Sequence, residues 1–156
     1  MLTSRGSQRR KFVSPRVGHQ WPGVTALYVR PHYAQRMSKV SLSEKFAMIH
    51  EHWRPKVVAQ LNGQEVKLVK SEGVFPWHHH EQEDEMFLVW RGRVTIEFRD
   101  GRVTLKAGEL CVVPRGVEHR TMADAEAEVL VFEPAETRNT GNIVDETFTA
   151  PNGVVL

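Results

Sequence analysis

Three histidines and four carboxylates fall within nine residues, Trp77-His78-His79-His80-Glu81-Gln82-Glu83-Asp84-Glu85. His78 and His80 are two apart, so in extended backbone their imidazoles leave the chain on the same side. Glu85 follows a short polar turn and opens the apolar run Met86-Phe87-Leu88-Val89-Trp90, which places it at the start of the next strand. Two imidazoles and a carboxylate gathered by one hairpin make half of a shell for a divalent metal. A fourth donor must come from elsewhere in the chain, and His119 is the natural candidate. Imidazole suits Fe, Mn, Co, Ni, Cu or Zn, and the carboxylate extends the choice toward Fe(II) and Mn(II). Four protein donors leave up to two octahedral positions open for water, substrate or oxygen, which favours reactivity over a purely structural ion.

Other chemistry-bearing residues read more simply. Strand alternation turns His79 away from its neighbours, and Glu81, Glu83 and Asp84 are turn and solvent charges. Trp77 and Phe75 share the His79 face and are expected to pack on a helix or a second subunit. Phe87 and Val89 share the Glu85 face and are candidates to line a pocket. Arg115 and Glu118 fall in a turn near the mouth and are expected at the surface. His50 and His52 are not at helical ligand spacing and read as surface or packing residues. Cys111, in the apolar run Leu110-Cys111-Val112-Val113, reads as a small buried side chain.

The elements that must position these groups are β-strands. The pattern from Lys56 onward gives about nine short strands: 57–61, 64–70, 73–80, 85–90, 93–98, 103–105, 110–113, 119–123 and 128–133. Asn62-Gly63 and Asp100-Gly101 are tight-turn signals between them. On the second strand Val66 and Leu68 alternate against charged residues, and on 93–98 Val94, Ile96 and Phe98 are expected to face inward. Such spacing indicates an all-β sandwich or barrel, with a jelly roll favoured. Ahead of it, Ser41-Leu42-Ser43-Glu44 fits a capping box, and Leu42, Phe46 and Ile49 give one apolar helical face that should end before Pro55. The organisation expected is a basic arm over 1–37, a helical lead-in over 38–55, a barrel over 56–134 and a tail over 135–156 that lies along the surface or over the mouth.

Composition bounds the function. With 156 residues, 40% hydrophobic and 26% charged, the chain has the size and make-up of one globular domain with a core. No apolar run is long enough to span a bilayer. One cysteine excludes an internal disulfide framework and fits a reducing, cytoplasmic setting. Residues 1–40 carry eight basic and no acidic residues, whereas the remainder carries 13 basic against 19 acidic. The basic leader lacks the apolar stretch of a secretory signal. It resembles a transit peptide in composition, but reads more simply as an arm, or as a start assigned upstream of Met37. No recognition module accompanies it, so nucleic acid is not an expected partner.

The ordered pair Gly73…His78-His79-His80…Glu85…Gly92 and Gly108…Pro114-Arg115-Gly116-Val117-Glu118-His119 resembles the two signature motifs of the cupins. Gly73 stands one residue closer to His78 than is usual, and Ala123 replaces a frequent asparagine. The resemblance spans residues 56–134 and implies a single-domain jelly-roll barrel with one divalent ion on His78, His80, Glu85 and His119. It also implies a homodimer, and a small polar ligand or substrate bound at the open metal positions. Dioxygenase, isomerase and lyase activities occur in proteins that look like this, and the pattern resembles small cupins of the mannose-6-phosphate isomerase-like kind. A non-catalytic binding or sensing module is the alternative.

Overall fold

Asn62 and Gly63 both take positive φ, 52° and 78°, as a two-residue hairpin turn matched to strand twist requires. They join β1 (Lys56–Leu61) to β2 (Gln64–Val74) in the computed structural model, which describes residues 39–156. The readings of residues 1–37 as a basic arm and of Met37 as an alternative start lie outside the described residues. Five more strands follow: β3 (Glu85–Arg91), β4 (Arg93–Phe98), β5 (Gly101–Lys106), β6 (Leu110–Val113) and β7 (His119–Pro134). All named pairings are antiparallel, as in the expected all-β jelly-roll barrel.

The long strand β7 holds the barrel together. Its C-terminal half pairs with β2 on one side and β3 on the other, and β1 and β6 extend this layer. Its N-terminal part pairs with β4, which carries β5. The β2–β7 register shifts between Ser71 and Gly73, opposite the exposed residues 124–126. That bulge bends both strands, so they pass from one layer to the other without ending. Among the described residues seven strands therefore stand where nine were expected: 119–123 and 128–133 are one strand, and 73–74 belong to β2. Residues 75–80 form no regular strand, although a single antiparallel bridge joins His78 to His119. The β4–β5 turn is Arg99-Asp100, because Phe98 already pairs with Gly101.

Two apolar clusters hold the layers. Val69, Phe87, Val89, Val94, Ile96, Val129 and Val131 fill the interior. Outside, helix α1 (Leu42–Ala47) sets Phe46 and the following Ile49 on Leu68 and Leu130. Ser41 caps it, with its Oγ accepting from the Glu44 amide at 3.5 Å. The β2 alternation thus runs opposite to the simple apolar-inward reading: Leu68 lies outside beneath the helix, and Glu65 and Lys67 share the inner face with Val69 and Ser71. The tail folds back over the mouth. Asn139 Nδ2 donates to Trp53 O and Phe148 O, its Oδ1 accepts from the Ala150 amide, and Arg54 donates to the carbonyls of Thr147 and Thr149.

Candidate metal centre

Each of the four sequence-selected donors sits where backbone pairing fixes it. His78 exchanges two backbone hydrogen bonds with His119, at 3.0 and 2.9 Å, so these two ligands face each other across one bridge. The His80 carbonyl accepts from the Gly116 amide at 2.6 Å, which ties the other end of the histidine segment to the turn preceding His119. Glu85 is the first residue of β3 and pairs with Val113. As a result one ligand atom from each of His78, His80, Glu85 and His119 lies within 4.8 Å of all the others. All four side chains are buried, between 0 and 5% exposed.

The donor chemistry fits a metal ion. His78 Nδ1 stands 3.1 Å from Pro76 O, and His119 Nδ1 stands 3.0 Å from Val117 O. A carbonyl only accepts, so both Nδ1 atoms carry the proton and each Nε2 presents a lone pair. His80 Nε2, His119 Nε2 and Glu85 Oε2 are buried with no hydrogen-bond partner. The two nitrogens lie 3.2 and 3.3 Å from Glu85 Oε2, close enough for charge attraction, but neither approach is aligned as a hydrogen bond. Buried polar atoms without partners are rare and call for an explanation; a shared cation would satisfy all three.

Electrostatics point the same way. Burial pushes the Glu85 carboxyl up, but His119 and His80 beside it outweigh burial and hold it below its ordinary value. Burial, and then the neighbouring His119, depress His78 to about 4, so it is neutral at pH 7 and ready to ligate. Burial opposes charge on His80 as well, yet Glu85 more than compensates and raises it.

Three residues escaped the sequence reading. The β2–β7 register sets Glu65 against Glu133, and β7–β3 sets Phe132 against Met86, so one step further Glu133 stands beside Glu85. The inner face therefore carries a row of carboxylates, Glu65, Glu133 and Glu85. Lys67 Nζ neutralises part of it, donating to Glu133 Oε1 at 2.9 Å and Thr137 O at 3.2 Å, with Glu65 Oε2 3.3 Å away. Burial, and then the Glu85 charge, push Glu133 up to about 8. Charge alternation on β2 looked like a solvent face; the signal available was that Glu65, Lys67 and Val69 share one parity.

Other residues are placed as follows. Phe87 lines the interior pocket beside the site, and Val89 lies deeper in the core and does not line it. Phe75 also lines the pocket, edge-on to His78 at 5.3 Å, contrary to the outward packing expected. The chain leaves regular strand geometry after Val74, so alternation does not carry through to Phe75. Trp77 does turn outward, under the Arg99 and Arg120 guanidinium groups rather than a helix. His79 uses its backbone, accepting from the Asn142 amide and donating to Asn142 Oδ1, and binds the tail to the ligand hairpin. Gly141 lies so close to the His79 carbonyl that any Cβ there would collide with it. Arg115 pairs with Asp84 and Glu118 with Arg99 at the surface. His52 meets Glu126 there too, and Cys111 is half-buried.

Comparison with known proteins agrees with this architecture. Residues 64–133 match the family model described as the cupin domain. A cupin-2 domain containing protein from Shewanella frigidimarina is 45% identical with a TM-score of 0.60, the likeness covering 61% of this chain and 93% of that one. A Neisseria meningitidis protein is 29% identical with a TM-score of 0.58, covering 63% and 100%. The Bacillus subtilis (strain 168) protein YdbB is 37% identical over 65 residues, which are 41% of this chain and 58% of that one. The match to YdbB thus spans less than two thirds of that relative. The chain belongs to the cupin superfamily.

The Glu133 carboxyl makes stability depend on pH. Its folded value, about 8, lies above its unfolded 4.5, so its protonated form stabilises the fold below pH 4.5 and that contribution is lost as pH rises to 8. Glu133→Gln should therefore gain on the wild type between pH 5 and 8, by about 1–3 kcal/mol, in urea unfolding of metal-free protein. A difference that does not change with pH would contradict the assignment.

Proposed function

We propose that this cupin is a small metal-dependent enzyme that binds one divalent transition ion through His78, His80, Glu85 and His119. The observation that carries the reading is the convergence of buried, unpartnered Nε2 and Oε2 atoms on one point. The ion, when bound, supplies Lewis acidity to a substrate donor. The chain's own residues do the rest: Pro76 and Val117 carbonyls lock two imidazoles in the ligating tautomer. An interior pocket lined by both His78 and Glu85 favours turnover over ion storage, and the reaction class is of dioxygenase, isomerase or lyase type. A non-catalytic sensor is the second reading, favoured if a ligand stabilises the protein without product. The mannose-6-phosphate isomerase-like label gains no support, because among the described residues no lysine or arginine lines that pocket. None of the described helices is long and apolar enough to cross a membrane. The lone cysteine favours a cytoplasmic location.

Metal analysis of purified protein should give about one ion per chain, and the His78→Ala, His119→Ala double variant should lose most of it. Unchanged stoichiometry in that variant would defeat the site. Oxygen uptake or product formation over diols, thiols and keto acids that vanishes in His80→Ala would mark the enzyme.

The homodimer implied by the cupin resemblance would seat its second copy on an apolar sheet face. On the outer sheet face Val112, Met86, Phe132 and Val66 form one row by register, with Leu110 and Leu88 beside it. Leu110 and Val112 are 54 and 52% exposed, and α1 covers only the Leu68–Leu130 end. Light scattering should report a dimer that Leu110→Glu, Val112→Glu converts to monomer; a monomeric wild type would refute it.

A further inference from the structure

The metal centre opens on one side into a small interior cavity. His78 and Glu85 form one wall, and Trp53, Phe75, Phe87 and four valines form most of the remainder. The aromatic corner is braced: Trp53 and Phe75 centroids are 5.0 Å apart, and Phe148 of the tail meets Phe75 edge-on at 5.2 Å. Only three other lining residues are polar, namely Ser71, Thr121 and Asn139. The Asn139 amide is already spent on Trp53 O, Phe148 O and the Ala150 amide. Among the described residues no lysine or arginine lines the cavity, and the nearby buried Lys67 is held by Glu133, Glu65 and Thr137 O.

These walls decide what can enter. A phosphate or second carboxylate in the cavity would be a buried anion without a counter-charge, which is strongly unfavourable. Among the described residues no cationic side chain lines this cavity, so any anionic character must sit at the metal end. Away from it, apolar surface gains from burial, and the Ser71 and Thr121 hydroxyls leave room for one neutral polar substituent. We propose that the ligand of this centre is a compact molecule with a hydrocarbon body and a single oxygen, nitrogen or sulfur chelating head. The proposal rests on the metal-binding reading above and replaces the small polar substrate expected from sequence.

Two probes with the same head separate the body from the ion. The full chain, loaded with Co(II), is titrated with benzohydroxamate and acetohydroxamate while the cobalt spectrum reports coordination of the head. Benzohydroxamate should bind at least tenfold tighter, and mannose 6-phosphate should not bind in the same range. Val129→Phe, which fills the cavity, should abolish the preference while keeping cobalt and acetohydroxamate. Should that variant fail to fold, the wild-type comparison still decides. Equal affinities for the two hydroxamates, or tighter binding of the sugar phosphate, would overturn the proposal and leave the metal site standing. Failure of cobalt to bind at all would instead overturn the reading beneath it.

Discussion

An ionised carboxylate inside a protein must find positive charge, and Glu85, only 5% exposed, has just imidazoles within reach. Much of the barrel is arranged around that constraint. The His78–His119 bridge brings two rings together, the His80–Gly116 bond brings a third, and carbonyls behind two of them fix where their protons sit. The Glu85 charge in turn raises the proton affinity of His80. A divalent cation would compensate that charge fully and satisfy atoms that the protein leaves without partners.

Next to this charge the barrel places a second polar cluster. Glu65, Lys67 and Glu133 are all under 5% exposed, and their arrangement follows from strand register rather than from any loop. Glu133 links the two clusters electrically, because the Glu85 charge helps to keep it protonated. The interior is thus divided: a polar row near the ligands on one side, and an apolar cavity on the other. Among the described residues, the four ligands thus meet apolar walls on one side and, on another, a polar groove beside His80 and the Glu81–Glu83 turn.

Much of this was legible in residue order. Asn62-Gly63 announced a turn that only positive φ satisfies, the alternation in β4 named Val94 and Ile96 as inward, and the His-x-His spacing with Glu85 and His119 marked the residues that converge. What was not legible depends on partners distant in sequence. β2 has apolar residues on both parities, because one face meets the barrel interior and the other meets α1, so Glu65 and Lys67 looked solvent-bound. The merger of four expected strands into β2 and β7 depends on a bulge, and a bulge leaves no periodic signal. Phe75 enters the cavity because the chain stops being a strand after Val74, where alternation ceases to apply. The tail lacks regular periodicity, and its position over the mouth comes from single side chains, above all Asn139 and Asn142.

The central claim is that strand pairing delivers three imidazole nitrogens and one carboxylate oxygen to a single ion. X-ray absorption at the metal edge of the loaded protein tests it most directly. A first shell of nitrogen and oxygen only, with the multiple-scattering signature of three imidazoles, is the expected result. A sulfur shell, or scattering from fewer than two imidazoles, would contradict the account.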